Sequence, residues 1–153
     1  MKPEWKVDWP NLGPHNAFIT SAETPDYNCL AFGAGKSDEW WEPYVIPPDN
    51  PTVYWPSHVH PENRPEDWAA ALATVGFTAC GNHDLEPDFV KVAIYADTAG
   101  NATHVARQLS DGRWTSKLGS FEDIVHDNLQ ALEGGLYGRV VVCLRRSRRE
   151  GDP

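Results

Sequence analysis

The sequence predicts one α+β domain, with helices in its first half and an antiparallel sheet in its second. Three observations predict this. Apolar residues recur at helical spacing over 68–75 and alternate at strand spacing over 89–96 and 102–109. The two patterns are segregated along the chain, whereas a parallel sheet would interleave them. The chain has 153 residues, 41% of them hydrophobic, which is enough for a single ordinary core.

Taken in order, residues 1–26 are rich in Pro, Gly and Asn and read as an irregular arm, wrapped on the domain by Trp5 and Trp9. Asp26 or Asn28 can cap a short helix that Cys29 opens, with Leu30, Ala31 and Ala34 at helical spacing and Gly33 and Gly35 ending it early. Residues 38–62 hold Trp, Pro and acids, with one strand over 52–55. Asn63 and Glu66 have capping-box spacing, and Pro65 suits a first turn. Trp68, Ala71, Leu72 and Val75 then form a helix face that Gly76 ends.

Strands follow over 89–96, 102–109 and 113–117, the last two joined at Asp111-Gly112. Phe121, Ile124, Val125, Leu129 and Leu132 predict an inserted helix stopped by Gly134-Gly135, and 138–145 a final strand. The domain is expected over 1–146, with 147–153 a disordered tail.

Composition narrows the function. A formal charge of −9 disfavours a phosphate backbone, and Arg145, Arg146, Arg148 and Arg149 read as a solvated tail, so no nucleic-acid partner is expected. No apolar run approaches the ~18 residues of a membrane span. Met1-Lys2-Pro3-Glu4-Trp5 lacks the apolar stretch of a secretory signal. The reading is a cytoplasmic protein, or one exported without a cleavable signal. Three cysteines at irregular spacing are not a disulfide framework: Cys143 reads as core and Cys80 as part of a turn.

Cys29 has the most distinctive surroundings. A helix start presents unpaired N–H groups that stabilise a thiolate. The same groups can hold an oxyanion, with Asn28 as a further donor. The base such a thiol needs is His104, placed between Ala102 and Ala106 on one face of a strand where another element can approach.

The segments Asn28-Cys29-Leu30-Ala31-Phe32, Thr103-His104, Trp114-Thr115-Ser116-Lys117-Leu118-Gly119, His126 and Tyr137-Gly138 resemble a small bacterial family related to NlpC-type papain-like cysteine hydrolases. The resemblance spans about residues 10–146. It implies a papain-like fold, N-terminal helices packed on an antiparallel sheet. It also implies a Cys29 nucleophile, a His104 general acid/base and an orienting His126, acting on a peptide or other amide-containing substrate. The chain departs from the common motif, which has Asp before the Cys and Ser-Gly after it. His126 falls in a helical pattern where the family has a strand, so Lys117 or Ser116 could take the third place.

Trp40, Trp41 and Trp55 could line a substrate groove or anchor core and loops. Two rival readings remain. One is a non-catalytic module that binds a peptide or partner protein through the Trp-rich acidic loop. The other is a metal protein using His58 and His60 with Asp49, Glu62 or His83; two ligands do not make a site, so no metal and no cofactor is expected.

Overall fold

The computed structural model describes residues 1–43 and 53–153. Nine strands are present among them: β1 (Ala17–Ile19), β2 (Trp40–Trp41), β3 (Val53–Tyr54), β4 (Thr78–Ala79), β5 (Phe89–Ala96), β6 (Ala102–Gln108), β7 (Trp114–Lys117), β8 (Asp123–His126) and β9 (Arg139–Ser147). Two α-helices accompany them, α1 (Cys29–Gly33) and α2 (Pro65–Ala73), with 3₁₀ turns at Pro3–Lys6 and Leu129–Leu132. Seven strands form one antiparallel sheet in the order β1-β8-β7-β6-β5-β9-β4, and β2 pairs with β3 in parallel.

Side chains on adjacent residues of a strand face opposite sides of the sheet. Val92, Ile94 and Val105 pack with α1, α2, Trp41 and Phe77 in one core cluster. Ala93, Tyr95 and Ala106 pack with Trp5, Trp9, Leu12, Leu132 and Tyr137 in the other. The helices therefore cover one face, and the N-terminal arm and the second 3₁₀ turn cover the other. No helix among the described residues is long and apolar enough to cross a membrane.

This corrects the expected fold class. The chain is mostly antiparallel sheet, and helices of five and nine residues do not make the helical layer of a papain-like or NlpC-type domain. The largest difference is at 120–132. Ile124 and Val125 lie in β8, paired to β7 through Ser116↔Ile124 and Thr115↔Val125 and to β1 through Ile19↔Ile124. β-branched residues suit such a doubly paired strand, and the two ladders override the helical spacing. At α2 the N-cap is Arg64, with no side-chain cap, while Asn63 Oδ1 accepts from Trp68 Nε1.

A second correction concerns the cysteines. β4 pairs β9 with Ala79 opposite Leu144, which sets Cys80 beside Cys143; the two form a disulfide with Cα atoms 5.5 Å apart. Sixty-three positions of sequence separate them. Closing a loop of that length limits the unfolded chain, so reduction or Cys80→Ser is expected to lower stability by about 4 kcal/mol. Mass mapping without reductant, followed by urea unfolding with and without it, checks both the bond and its effect.

Candidate active site

The site begins at the start of α1. Asn28 is its N-cap, and Asn28 Oδ1 accepts from the amides of Ala31 and Trp41, each at 3.1 Å. Asn28 Nδ2 donates to Trp41 O at 2.8 Å. The amide thus ties β2 to the helix start, with one of its two Nδ2 hydrogens given to Trp41 O. Gly33 lets α1 press on β6: a Cβ there would lie 2.6 Å from Val105 Cγ1.

Cys29, the free cysteine, is 7% exposed. Burial pushes its thiol up to about 11, against the opposing pull of the amides of Val105, Leu30 and Cys29 itself and of Lys117. The helix start alone does not make a thiolate here, because α1 is a single short turn and desolvation outweighs it. The Val105 amide can face the sulfur because β6 and β7 separate there: their direct pairs are Arg107↔Thr115 and Gln108↔Trp114.

His104 is the residue before Val105 and is fully buried. Its ring stacks on Tyr137, with centroids 4.1 Å apart and planes 6° from parallel. His104 Nε2 lies 2.9 Å from Ser116 Oγ, Ser116 Oγ lies 2.8 Å from His126 Nε2, and His126 Nδ1 lies 2.8 Å from Asn128 O.

The direction of every proton in this chain follows from its end. A carbonyl only accepts, so His126 Nδ1 carries a hydrogen. Burial pulls the His126 pKa down to about 4, so the ring is neutral and its Nε2 must accept. Ser116 therefore donates to His126 and accepts from His104 Nε2–H. His104, held well below the ordinary imidazole range by burial and by His126, keeps a lone pair on Nδ1. That Nδ1 is buried without a hydrogen-bond partner among the described residues. Tyr137, stacked on His104, has its phenol raised well above the ordinary value, first by burial and next by the charge of Cys29.

Lys117 is buried beside α1, donating to Phe121 O, with Nζ 5.1 Å from the centre of the Tyr27 ring. Tyr27 OH in turn donates to Asp123 Oδ2 at 2.5 Å. Burial lowers the Lys117 pKa, and Asp123, Glu122 and Cys29 oppose the shift.

The structure thus divides the expected residues between the two faces of the sheet: Cys29 and Lys117 lie on the α1 side, whereas His104, Ser116 and His126 lie on the side of Tyr95 and Tyr137, with the split between β6 and β7 between the two groups. His126 reaches the site from strand β8 and not from the expected helix. The tryptophans do not form one wall. Trp41 is core, Trp55 Nε1 donates to Val59 O, and half-buried Trp40 donates to Glu42.

His58, His60 and His83 are not a common site. His60 Nδ1 meets Asp67 Oδ1 at 3.2 Å, while His83 Nε2 lies 3.4 Å from Val142 O and Asp49 is outside the described residues. Among the described residues, His60, Glu62 and Asp67 have potential ligand atoms within 4.8 Å of one another.

Sequence reasoning left Ser116 as one of two substitutes for His126, whereas it joins His104 to His126. Tyr137 carried no assigned role. Its signal was positional: the glycine after it marks a tight turn.

The model of a family described as a domain of unknown function (DUF7689) matches residues 18–145. No curated protein matches, and no solved structure matches.

Proposed function

We propose that this chain, which belongs to the DUF7689 family, is a cysteine-dependent hydrolase or acyl transferase acting on an amide or peptide-type bond. The observation that carries the reading is the ordered chain Asn128–His126–Ser116–His104, which leaves a buried, unpartnered lone pair on His104 Nδ1. A neutral imidazole fixed in one tautomer is what a general base requires.

Because the resting thiol is protonated, attack and proton transfer are coupled. The Cys29 S–C bond forms, the carbonyl π pair moves to oxygen, and the thiol proton passes to His104 Nδ1, a transfer that must cross the gap between β6 and β7 because His104 lies on the Tyr137 side of the sheet. The C–N bond then breaks, with that proton going to the leaving amine. Water releases the acyl group in a hydrolase; another amine or alcohol does so in a transferase. The amides of Cys29, Leu30 and Val105 that face the sulfur are the donors available to the oxyanion. Lys117 adds positive charge on the same side. The Cys80–Cys143 bond favours an oxidising setting, reached by export, over the cytoplasm.

The test is acylation by an activated ester such as p-nitrophenyl acetate, with mass mapping of the modified residue. Wild type should acylate at Cys29, and His104→Ala should slow this by on the order of 10²-fold. Iodoacetamide labelling of Cys29 should meanwhile rise with pH toward the high thiol pKa. Acylation that misses Cys29, or that is unchanged in His104→Ala, ends the catalytic reading. A second reading, a binding module without turnover, is favoured by the burial of both groups, Cys29 at 7% and His104 at 0% exposure. It predicts that negative result.

A further inference from the structure

The chain is acidic overall, yet the lining of one cleft of about 540 Å³, between the end of α1 and the end of β9, holds four cations, Lys36, Arg107, Arg146 and Arg149, against the two acidic side chains Glu150 and Asp152. Its floor is formed by two guanidinium groups, Arg107 of β6 and Arg146 of β9, whose side chains are only 8% and 6% exposed. Lys36 and Arg149 are exposed at its rim, and neither forms an ion pair among the described residues.

Among the described residues one carboxylate, that of Asp152, bonds to both guanidinium groups of the floor, while Glu150 is exposed. The segment after β9 turns back so that Asp152 Oδ2 accepts from Arg146 Nη1 at 2.8 Å and from the Arg149 amide at 2.6 Å. Asp152 Oδ1 accepts from Arg146 Nη2 at 2.9 Å and from Arg107 Nη2 at 3.0 Å. Two buried cations therefore share one anion, and an unmatched buried charge is unfavourable. The mutual repulsion is visible at Arg107, whose pKa is lowered first by burial and next by Arg146. The paired N–H groups of Arg146 meet both carboxylate oxygens in the planar fork that suits a carboxylate. Arg107 also donates to Gly33 O at 3.3 Å, so the floor is attached to the last residue of α1.

We propose that this cleft is a carboxylate-binding site whose inner position Asp152 fills in cis, and that a ligand with a free carboxylate enters over Lys36 and Arg149 to take the Arg146 fork. The chain's own segment is then a displaceable stand-in. This stands independently of the Cys29 chemistry, since binding is read without turnover.

The test is calorimetric titration with succinate, with its neutral diamide succinamide and with inorganic phosphate, on wild type, Asp152→Asn and the double variant Asp152→Asn/Arg149→Gln. Asp152→Asn should bind succinate at least ~10-fold more tightly than wild type does, and Arg149→Gln should weaken that binding by about 10-fold. Succinamide should not bind, and phosphate should bind more weakly than succinate.

Folding of Asp152→Asn only when succinate is present also supports the site. Four results overturn the proposal. They are a folded Asp152→Asn that ignores succinate, binding unaffected by Arg149→Gln, phosphate preferred over succinate, and failure of Asp152→Asn to fold at any succinate level. Each would make Asp152 a structural latch or the cleft a site for another anion.

Discussion

Acidification from pH 6.5 to 4 is expected to remove about 3 kcal/mol of stability through His126 alone. The folded ring has its pKa pulled down to about 4 by burial, while the unfolded ring titrates near the ordinary value of 6.5. Between those values the unfolded chain binds a proton that the folded chain refuses. The stabilisation is complete above about pH 6.5 and falls away as pH drops toward 4.

His104 acts in the same direction, through burial and then the neighbouring His126. His83, lowered chiefly by burial, does so too. Carboxylates held low act at the acid end: the stabilisation from Glu86, held low chiefly by its bond from Lys91, is lost as pH falls below about 4.5, and that from Asp152, held low by its bonds from Arg146, below 3.8, so loss between pH 6.5 and 5 belongs to the histidines. Urea unfolding at several pH values measures it, and NMR titration of the imidazoles assigns it. A stability profile that is level from pH 6.5 to 4, or a His126 that titrates near 6.5, would remove the neutral relay on which the His104 lone pair depends.

Gly138→Ala is expected to destabilise the fold by about 3 kcal/mol or more. Gly138 has φ +74°, and a Cβ there would fall 2.0 Å from Ala96 O and 2.9 Å from Asp97 Cα. These are backbone atoms at the end of β5, where the β5–β9 register shifts between Ile94 and Tyr95, so no side chain can move aside. The strain also falls next to Tyr137, the ring stacked on His104, so acylation of Cys29 should weaken together with stability.

Gly119→Ala is the control. Its φ is +62°, but a Cβ there would meet nothing within 4 Å. Only conformational strain applies, about 1–2 kcal/mol. Equal losses in the two variants would show that the close approach at Gly138 is not what holds that corner.

Local signals in the sequence were read correctly where neighbours along the chain decide the outcome. Asn28 caps the helix that Cys29 opens, because a side-chain oxygen three residues before an amide needs no distant partner. The alternating runs of β5 and β6 and the Asp111-Gly112 turn are of the same kind, with Gly112 at φ +92°. The residues 121–132 mark the limit of such reading. Their apolar spacing fits a helix, but Ile124 and Val125 are claimed by ladders from β1 and β7, and a short apolar run carries no mark of which partner will arrive. His126 changed element with them, from a helix edge to a strand aimed at Ser116.

Composition, capping and alternation were enough to establish a small acidic chain of one domain's size, with a thiol at a helix start and histidines in its strand-rich half. Those signals act over a few residues. The remaining features came from long-range pairing: the seven-strand order, the Cys80–Cys143 bond, the relay through Ser116, and the turn of Asp152 onto Arg107 and Arg146. Each of these joins groups from separate strands or segments, and strand register is set by pairings that no single segment specifies. The same cause reversed the expected state of Cys29. The helix start is local and favours thiolate, but burial between the sheet and its helices is a property of the whole fold, and it holds the thiol protonated up to about 11.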